Sequence, residues 1–394
     1  MPDVVLTLNA GSSSLKFGLF QPGAGADPLP LARGQIEGLD TAPRLIARDA
    51  SGATLIDRQW PPGPSAREET ARALLAWIDG WSGVGTLAAA GHRIVHGGGR
   101  FVDPVRLDNE TLQALDALTP LAPLHQPACL APIQILMAAR PALPQIGCFD
   151  TAFHHGLKPP VSRFALPRAY EEKGLRRYGF HGLSHEFIAR RLREVSPDLP
   201  GKRTVVAHLG NGASLCAMRD GQSVDTTMGF STLDGLVMGT RCGAIDPGVL
   251  LWLQRSEGLT VQAVEHLLYH QSGLLGVSGL SADMRTLLAS DDPRAAEAIA
   301  LFTFSVARET AAMASTLGGL DCFVFTGGIG EHAPGIRARI CDQLAWLGVT
   351  PDHGANDKGE IRISTPESQV EILVMATDEE MTIARHVARV MGET

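Results

Sequence analysis

The sequence lacks the features that mark membrane-spanning and exported proteins. No uninterrupted apolar run reaches the roughly 18 residues that a membrane helix needs. The first residues, Met-Pro-Asp, carry no basic segment followed by an apolar one, as a secretory signal would. We therefore expect a protein that is neither exported nor membrane-spanning and that works in the cytoplasm.

Cysteine is scarce, and an excess of positive charge is missing. The six cysteines are widely spaced and form no Cys-x-x-Cys motif, which argues against a zinc site or a disulfide framework. The net charge is −8. Because a general nucleic-acid surface needs clustered Lys and Arg to neutralise phosphates, we expect no nucleic-acid partner, and any anion site must be local.

The features that are present indicate a globular α/β protein. The 394 residues, 44% of them hydrophobic and 19% charged, suit two or three domains of about 100 to 200 residues. Strand-like apolar runs alternate with helical patterns. The predicted strands are 4–8, 15–20, 145–149, 204–209, 214–219, 322–326 and 371–374. The predicted helices are 68–78, 110–118, 127–139, 185–195, 261–270, 293–317 and 379–390.

One strand–turn–strand pattern occurs twice. "DVVLTLNAGSSSLKFGLF", from residue 3, and "RTVVAHLGNGASLCAMRDG", from residue 203, each have an apolar strand, a tip of Asn, Gly, Ser or Ala, and a second strand that begins with Ser-Leu. Two copies about 200 residues apart indicate a duplicated domain, and duplicated domains make a cleft between them. A third glycine-rich turn, in "FVFTGGIGEHAPGIRARI" from residue 323, runs from a strand into the start of a helix.

Glycine-rich tips of this kind are suited to phosphate. Glycine permits positive φ and close backbone approach, and a helix amino terminus adds free N–H donors and its dipole. Serine hydroxyls and Lys16 add donors, while asparagine and carboxylate oxygens suit Mg²⁺. Each turn alone is more often only a turn, and none is a dinucleotide fingerprint or a P-loop. Three in one chain, two of them in matching frames, favour a polyphosphate bound with magnesium.

Eight motifs in order resemble the acetate kinase family and span essentially the whole chain: "NAGSSSLKF", "HRIVHGG", "FDTAFH", "RRYGFHGLSH", "HLGNGAS", "MGTRCGAIDPG", "FTGGIGE" and "TDEE". The resemblance implies an α/β fold of two duplicated ribonuclease-H-like domains, of the actin and sugar-kinase type, around a nucleotide cleft. The first would be 1–150 with a returning helix in 380–394, and the nucleotide-binding domain would be 151–379. It also implies a homodimer that transfers the γ-phosphoryl group of ATP to acetate, reversibly and with Mg²⁺ or, as the alternative metal, Mn²⁺, giving acetyl phosphate and ADP.

The resemblance also assigns roles to residues. The magnesium positions are Asn9 and Glu379. The catalytic positions are Arg93, Asp150, His181 and Arg241, of which Arg93 also binds the substrate. The residues around the acetate methyl group are Val95, Leu124 and Phe180. The nucleotide-binding positions are Ser12, Ser14, Lys16, His208, Leu209, Gly210, Asn211, Gly212, Asp283, Met284, Arg285, Gly327, Gly328, Ile329, Gly330 and Glu331.

The chemistry of phosphoryl transfer supports the catalytic set independently. Negative charge spreads over three oxygens, so catalysis is mostly positioning and charge stabilisation. An arginine can hold a carboxylate through two hydrogen bonds, and a histidine can donate to a developing oxyanion. Acetate is already ionised at neutral pH and hardly needs a general base. We therefore expect Asp150 to orient Mg²⁺ or an arginine, although in isolation it reads equally well as a helix N-cap.

The choice of carboxylate stays open at this stage. Thr232 stands where many relatives carry proline, and Cys242 and Ala244 where many carry serine and aspartate. Since one methylene is worth only about 1 to 3 kcal/mol of discrimination, propionate and butyrate remain alternatives to acetate. A sugar kinase of the same fold would need a polar pocket and a carboxylate base. A chaperone or cytoskeletal ATPase would use the cleft as a conformational switch.

Overall fold

A computed structural model of the chain describes residues 3–11, 14–23, 27–39, 41–63, 66–81, 85–196 and 201–392, with the backbone alone for 66–68. Residues 1–152 together with 378–394 form one unit, and residues 153–377 form a second; we call them unit 1 and unit 2. Among the described helices, none has the length and apolar character needed to cross a membrane.

The described strands number thirteen and the described α-helices fourteen. The strands are β1 (Asp3–Ala10), β2 (Leu15–Gln21), β3 (Leu29–Glu37), β4 (Arg44–Asp49), β5 (Thr54–Gln59), β6 (Thr86–Ile94), β7 (Val105–Arg106), β8 (Gln145–Phe149), β9 (Arg203–Leu209), β10 (Ala213–Arg219), β11 (Gln222–Thr226), β12 (Cys322–Thr326) and β13 (Glu371–Val374). The helices are α1 (Ala66–Gly80), α2 (Asn109–Asp116), α3 (Gln126–Ala139), α4 (Arg168–Glu172), α5 (Gly182–Val195), α6 (Pro247–Arg255), α7 (Val261–His270), α8 (Gly273–Ser278), α9 (Met284–Leu288), α10 (Pro293–Leu317), α11 (Gly327–His332), α12 (Pro334–Gln343), α13 (His353–Lys358) and α14 (Glu379–Gly392).

The two sheets share one topology. The sheet of unit 1 has the order β5-β4-β3-β2-β1-β6-β8-β7, and the sheet of unit 2 has the order β11-β10-β9-β12-β13. In both, an antiparallel meander of three strands (β1–β3 and β9–β11) is continued by two strands parallel to the first one. The duplicated hairpin and the α/β fold class that the sequence predicts are therefore confirmed.

Central strands are apolar on both faces because helices cover both faces of each sheet. In unit 1, Leu6 and Phe17 of the sheet pack in one cluster with Leu74 of α1 and Leu136 of α3. The other face receives α14, since a β-carbon built on Gly91 would lie 2.5 Å from side chains of that helix. In unit 2, α5 packs against β9, β10 and β12, and α10 contacts β9, β10 and β11.

Every predicted strand and helix is present, with ends that differ by at most three residues. Three strands, 145–149, 322–326 and 371–374, and the helices 261–270 and 293–317 have the predicted bounds. The third glycine-rich turn also behaves as predicted, because α11 begins directly after β12. Sequence reasoning missed β3 to β7, β11 and several short helices of unit 2.

Candidate active site

Two catalytic candidates of unit 1 lie at the carboxyl ends of neighbouring parallel strands. Arg93 is next to last in β6, and Asp150 directly follows β8, whose register pairs Cys148 with Arg93. One oxygen of Asp150, Oδ2, accepts hydrogen bonds from Arg93 Nε at 2.9 Å and Nη2 at 2.5 Å. Arg93 Nη1 donates to the carbonyl of Ala10, at the end of β1, at 3.3 Å. Asp150 thus holds an arginine, one of the two partners expected from the sequence.

The Asp150 carboxyl is almost inaccessible to water, with 1% of its side chain exposed. Burial raises its pKa to about 6; the Arg93 guanidinium opposes this shift, and the negative charge of Glu379 adds to it. Its second oxygen, Oδ1, is buried and has no hydrogen-bond partner among the described residues. A buried oxygen of this kind calls for a ligand, because unpaired buried polar atoms are costly.

The predicted magnesium residues lie together near this carboxyl. Asn9 Nδ2 donates to Glu379 Oε2 at 2.8 Å and to Glu380 Oε1 at 3.2 Å. Burial raises the pKa of Glu380, and the charge of Glu379 raises it further. Crowded carboxylates in a buried setting are relieved by a cation.

These residues fit magnesium better than a metal held by protein alone. Within the described ranges, no three His, Cys, Asp or Glu side chains converge on one point. Mg²⁺ commonly takes one or two carboxylates and completes its shell with water and substrate phosphates. Glu379, the free oxygen of Asp150 and the amide oxygen of Asn9, once turned toward the ion, supply such a set.

The tip of the β1–β2 hairpin carries the predicted lysine. Lys16 pairs with Asn9 in the register and is exposed between two buried residues of β2. The amide of Gly11 donates to the carbonyl of Ser14 at 2.8 Å and closes the tip. Ser14 is half-buried, and Ser12 lies outside the described residues.

In unit 2, His181 occupies a strained position at the amino end of α5. Its φ is +56°, a left-handed conformation that is uncommon for a residue other than glycine. Its Nδ1 lies 2.9 Å from Ser214 Oγ, and its ring stacks on that of His208 with centroids 4.4 Å apart. The preceding residue is held too, because the Phe180 carbonyl accepts a hydrogen bond from His154 Nε2 at 3.0 Å. Strain of this kind persists only where neighbours enforce it, and it is common at active sites.

Arg241 is presented by a tight turn. The Met238 amide donates to the Arg241 carbonyl at 3.1 Å, and the Leu274 amide donates to the Met238 carbonyl at 2.9 Å. Gly273 has a φ of +63°, and a β-carbon there would lie 2.2 Å from the Met238 carbonyl, so only glycine fits. The Arg241 side chain donates to the carbonyl of Thr232 at 3.1 Å.

The tip of the β9–β10 hairpin lies beside both transition-state candidates. A β-carbon built on Gly212 would lie 3.2 Å from His181 Nε2 and 3.8 Å from Arg241 Nη1. The fold of unit 2 therefore brings together three predicted residues that lie 29 to 60 positions apart. An anion at this tip would meet an imidazole, a guanidinium and backbone N–H groups.

The other predicted nucleotide segments adjoin this tip. Gly327, with a φ of +78°, begins α11 so close to β9 that a β-carbon on it would lie 2.8 Å from the Leu209 carbonyl. Glu331 accepts the Gly327 amide at 2.9 Å, so its carboxylate closes the amino end of its own segment. Gly239 lies between the tip and the third segment, 283–285. A β-carbon built on Gly239 would lie 2.1 Å from Asn211 Oδ1 and 3.3 Å from the carbonyl of residue 282.

The segment 283–285 forms the start of α9. Asp283 caps this helix by accepting the Arg285 amide at 2.8 Å, and hydrogen bonding with Arg285 lowers its pKa to about 2. Met284 is buried, whereas the Arg285 side chain is 91% exposed. The exposed guanidinium of Arg285 pairs with the Asp283 carboxylate, with Nη2 2.6 Å from Oδ2.

The candidate methyl-pocket residues differ in exposure. Val95 and Phe180 are buried, and Leu124 is half-buried. Thr232 is also buried; its hydroxyl bonds to Tyr269, and its carbonyl accepts from Arg241. The residue that departs from the common family pattern therefore contacts a catalytic candidate directly.

Sequence reasoning missed several residues that support the site. Ser214 and His185 bond to each other behind His181, although His185 reads in the sequence as an ordinary first-turn residue. Arg337, only 1% exposed, donates to the carbonyls of Gly330 and Glu331 at 2.9 Å each and so anchors the end of α11. A signal existed for Arg337, which lies next to Ile336 on an otherwise apolar helix face.

Burial lowers the pKa of four histidines. We call them the buried histidines: His92, His96, His154 and His185. The pKa falls to about 4 in His92, His96 and His154 and well below its usual value in His185. They are neutral at physiological pH.

Comparisons with known proteins agree on one family. The sequence pattern of the Acetokinase family matches residues 4–385. An acetate kinase of Rhodopseudomonas palustris is 52% identical over 99% of this chain and 98% of its own length. The crystal structure of Porphyromonas gingivalis acetate kinase has a TM-score of 0.86 at 34% identity and covers 99% of this chain and 100% of that one. The crystal structure of a propionate kinase from Francisella tularensis has a TM-score of 0.89 at 36% identity, covering 98% of each chain.

Proposed function

The chain belongs to the acetokinase family, and from this premise we propose that it is a kinase that transfers the γ-phosphoryl group of ATP to acetate, giving acetyl phosphate and ADP. The observation that carries the proposal is the convergence of His181 and Arg241 on the glycine tip at Gly212. Two donors beside a backbone anion site suit a transferring phosphoryl group, whose charge spreads over its equatorial oxygens.

Arg93 holds the acceptor in this proposal. Asp150 engages Nε and Nη2 through one oxygen, which fixes the plane of the guanidinium. Nη1 donates one proton to the Ala10 carbonyl, so one proton on each of Nη1 and Nη2 is left to bind a carboxylate. Acetate attacks as the ionised carboxylate, so no residue has to remove a proton. Asp150 therefore acts by orientation and charge, not as a base.

The residues of unit 2 hold the nucleotide and stabilise the transition state. Backbone N–H groups of 209–212 and 327–331 receive the phosphates, except those of Gly210 and Gly327, which already bond within the protein; the glycines let the backbone approach closely. His181 and Arg241 donate to the γ-phosphoryl oxygens as bonding to the leaving ADP weakens. Magnesium, when bound by Asn9 and Glu379, supplies positive charge that neutralises the phosphates. Mn²⁺ is a suitable substitute because it accepts the same oxygen donors.

We propose a homodimer that uses an apolar surface of unit 2. Helix α6 has the sequence "PGVLLWLQR", yet none of its residues is buried. Leu251 and Trp252 are 50% and 54% exposed. A helix rich in apolar side chains and unburied is typical of a protein–protein contact. Size-exclusion chromatography with light scattering should show a dimer for the wild type and a monomer for Trp252→Asp.

The cysteines suit a cytoplasmic location. None of the six forms a disulfide, and five of them are buried. Cysteines that form no disulfide are typical of proteins in a reducing compartment.

The activity is tested by trapping the acyl phosphate. Purified protein with ATP, Mg²⁺ and acetate should yield acetohydroxamate when hydroxylamine is present, and omission of acetate should abolish the signal. Neither a sugar kinase nor a switch ATPase forms a hydroxylamine-reactive acyl phosphate. No hydroxamate, with measured nucleotide binding, would overturn the proposal.

Propionate is the second candidate, favoured by two observations. The Francisella tularensis structure with a TM-score of 0.89 is that of a propionate kinase, and Thr232 alters a position beside Arg241. Initial rates with acetate, propionate and butyrate, measured side by side, decide between them. A kcat/KM for propionate above that for acetate would reassign the substrate while leaving the reaction class intact.

A further inference from the structure

The catalytic candidate His181 is linked through a serine to a second histidine with no part in the reaction as proposed above. Ser214 Oγ lies 2.9 Å from His181 Nδ1 and 3.1 Å from His185 Nε2. Ser214 and His185 are completely buried. A serine hydroxyl has a single proton, and Ser214 Oγ has no third hydrogen-bond partner among the described residues, so it donates to one ring nitrogen and accepts from the other. The direction of this chain determines which nitrogen of His181 carries the proton.

His185 sets the direction. Burial, together with neighbouring His154 and His208, lowers the pKa of His185 well below its usual value, so the ring is neutral and has one N–H. Its Nδ1 is buried and has no hydrogen-bond partner within the part of the chain that the structure describes. A proton on Nδ1 would leave a buried donor without an acceptor, which is costly. The proton therefore lies on Nε2 and is donated to Ser214.

The rest of the chain follows from this assignment. Ser214 accepts from His185, so its own proton goes to His181 Nδ1, which must be the acceptor. His181 then carries its proton on Nε2. This is the nitrogen that lies next to Gly212, with Arg241 Nη1 beside the same glycine.

We propose that Ser214 and His185 are positioning residues, which hold His181 in the Nε2–H tautomer so that its one donor faces the glycine tip. In the opposite tautomer a lone pair would face the phosphoryl oxygens and repel them. The use of this donor in catalysis rests on the function proposed above, whereas the tautomer itself is a property of the free protein.

A parallel histidine–serine pair in the same unit supplies a matched control. His154 Nδ1 lies 2.7 Å from Ser223 Oγ, and its Nε2 lies 3.0 Å from the Phe180 carbonyl. A carbonyl can only accept, so His154 carries its proton on Nε2 whether or not the serine is present. Ser223 is also buried. Ser223→Ala therefore removes an equivalent buried hydroxyl without touching the chain to His181.

Long-range ¹H–¹⁵N NMR of protein labelled with ¹⁵N-histidine reads which ring nitrogen carries the proton, and the spectrum of His181→Gln assigns the signal. We expect the Nε2–H form of His181 in the wild type, in Ser223→Ala and in Ser214→Thr, which keeps the hydroxyl. In Ser214→Ala the preference for this form should be lost. An Nδ1–H form in the wild type, or an unchanged tautomer in Ser214→Ala, would overturn the proposal. The remaining histidine signals report whether each variant is folded.

Kinetic measurements distinguish a positioning role of Ser214 from a purely structural one. Ser214→Ala should lower kcat by about 10-fold or more, on the scale of losing a group that orients a catalytic residue, with KM for ATP and acetate little changed. His185→Gln retains an N–H that can reach Ser214 and should keep most of the activity. A changed tautomer with an unchanged kcat would overturn the positioning role. If the wild type forms no acyl phosphate, the proposed function fails, while the NMR measurement still tests the chain.

Discussion

Removing Arg93 should produce an instability that grows with pH. In the native protein, burial and Glu379 raise the pKa of Asp150 to about 6, and only the Arg93 guanidinium opposes them. In Arg93→Ala nothing opposes them, so the folded-state pKa of Asp150 rises further. A carboxyl whose pKa is above the unfolded value of about 3.9 contributes stability that is fully present below that pH. This contribution is lost as pH rises through the folded pKa, and in the variant the loss continues to higher pH.

The magnitude follows from the pH interval over which the two proteins differ. If Asp150 stays protonated in folded Arg93→Ala up to pH 8, two units above its pKa of about 6 in the wild type, the variant loses about 2.7 kcal/mol more than the wild type by pH 8, at about 1.36 kcal/mol per unit. This extra loss of stability is close to the cost of breaking a buried ion pair, which is about 3 to 5 kcal/mol. At pH 5 Asp150 is protonated in both folded proteins, and the extra loss disappears.

Urea unfolding with EDTA present, followed by tryptophan fluorescence at pH 5, 6.5 and 8, measures this difference. The double variant Arg93→Ala/Asp150→Asn carries no titrating group at the pair and serves as the control. Its stability relative to the wild type should change much less with pH. The reasoning is refuted if Arg93→Ala is destabilised equally at pH 5 and pH 8, or if the double variant is as unstable as the single one at pH 8.

Three further results are expected. Arg241→Ala should lower kcat by at least about 100-fold, the scale of removing a transition-state donor, and a loss of only a few-fold with unchanged circular dichroism would contradict its role. Gly212→Ala puts a β-carbon 3.2 Å from Nε2 of His181 and should cost about 10-fold or more in kcat, whereas Gly335→Ala meets open space and should be silent. The buried histidines have folded pKa values below the unfolded value of about 6.5, so stability is present above pH 6.5 and lost as pH falls toward 4. Urea unfolding at a series of pH values across this range gives the slope of the unfolding free energy against pH, which reports the protons taken up on unfolding. His154→Gln should reduce this uptake by about one proton, and exposed His353→Gln should not. Equal slopes for His154→Gln and the wild type would exclude the buried-histidine explanation.

The elements that the sequence predicts well are those whose local chemistry agrees with their tertiary setting. β12 and β13 are short runs of β-branched and aromatic residues, and they are buried between helices as such runs should be. α10 has an Asp292 N-cap, proline in its first turn and Gly318 after its last residue, so both ends are marked in the sequence.

The missed strands lack such agreement. β6 reads "TLAAAGHRI", and its run of alanine and glycine has little strand propensity. It is a strand because β1 and β8 pair with it on both sides, and because Gly91 lets α14 pack closely. β3 contains Pro30 and Gly34, which read as breakers, but pairing with β2 and β4 stabilises it. Pairing between distant segments is not visible in local sequence.

The candidate site, like the fold, is only partly predictable from local sequence. Motifs identify Arg93 and Asp150, but only the parallel register of β6 and β8 reveals that these residues, 57 positions apart, share two hydrogen bonds. The sequence gives no signal for Ser214, because a serine in a strand is unremarkable. Only the structure shows that its hydroxyl lies between His181, at the amino end of α5, and His185. The roles of these residues stay predictions until the variants are measured.

The two hairpins share a topology, but the side chains near their tips differ in charge. Near the β1–β2 tip, Asn9 bonds to two glutamates, and Asp150 lies close enough to Glu379 for its pKa to be raised. In the function proposed above, these carboxylates would repel a polyphosphate without a cation, so this copy of the hairpin is the one that would take the metal. Near the β9–β10 tip, the neighbouring side chains are the imidazole of His181, bonded to Ser214, and the guanidinium of Arg241, which would attract a phosphate directly. The same backbone frame therefore occurs twice, with acidic side chains near one tip and an imidazole and a guanidinium near the other.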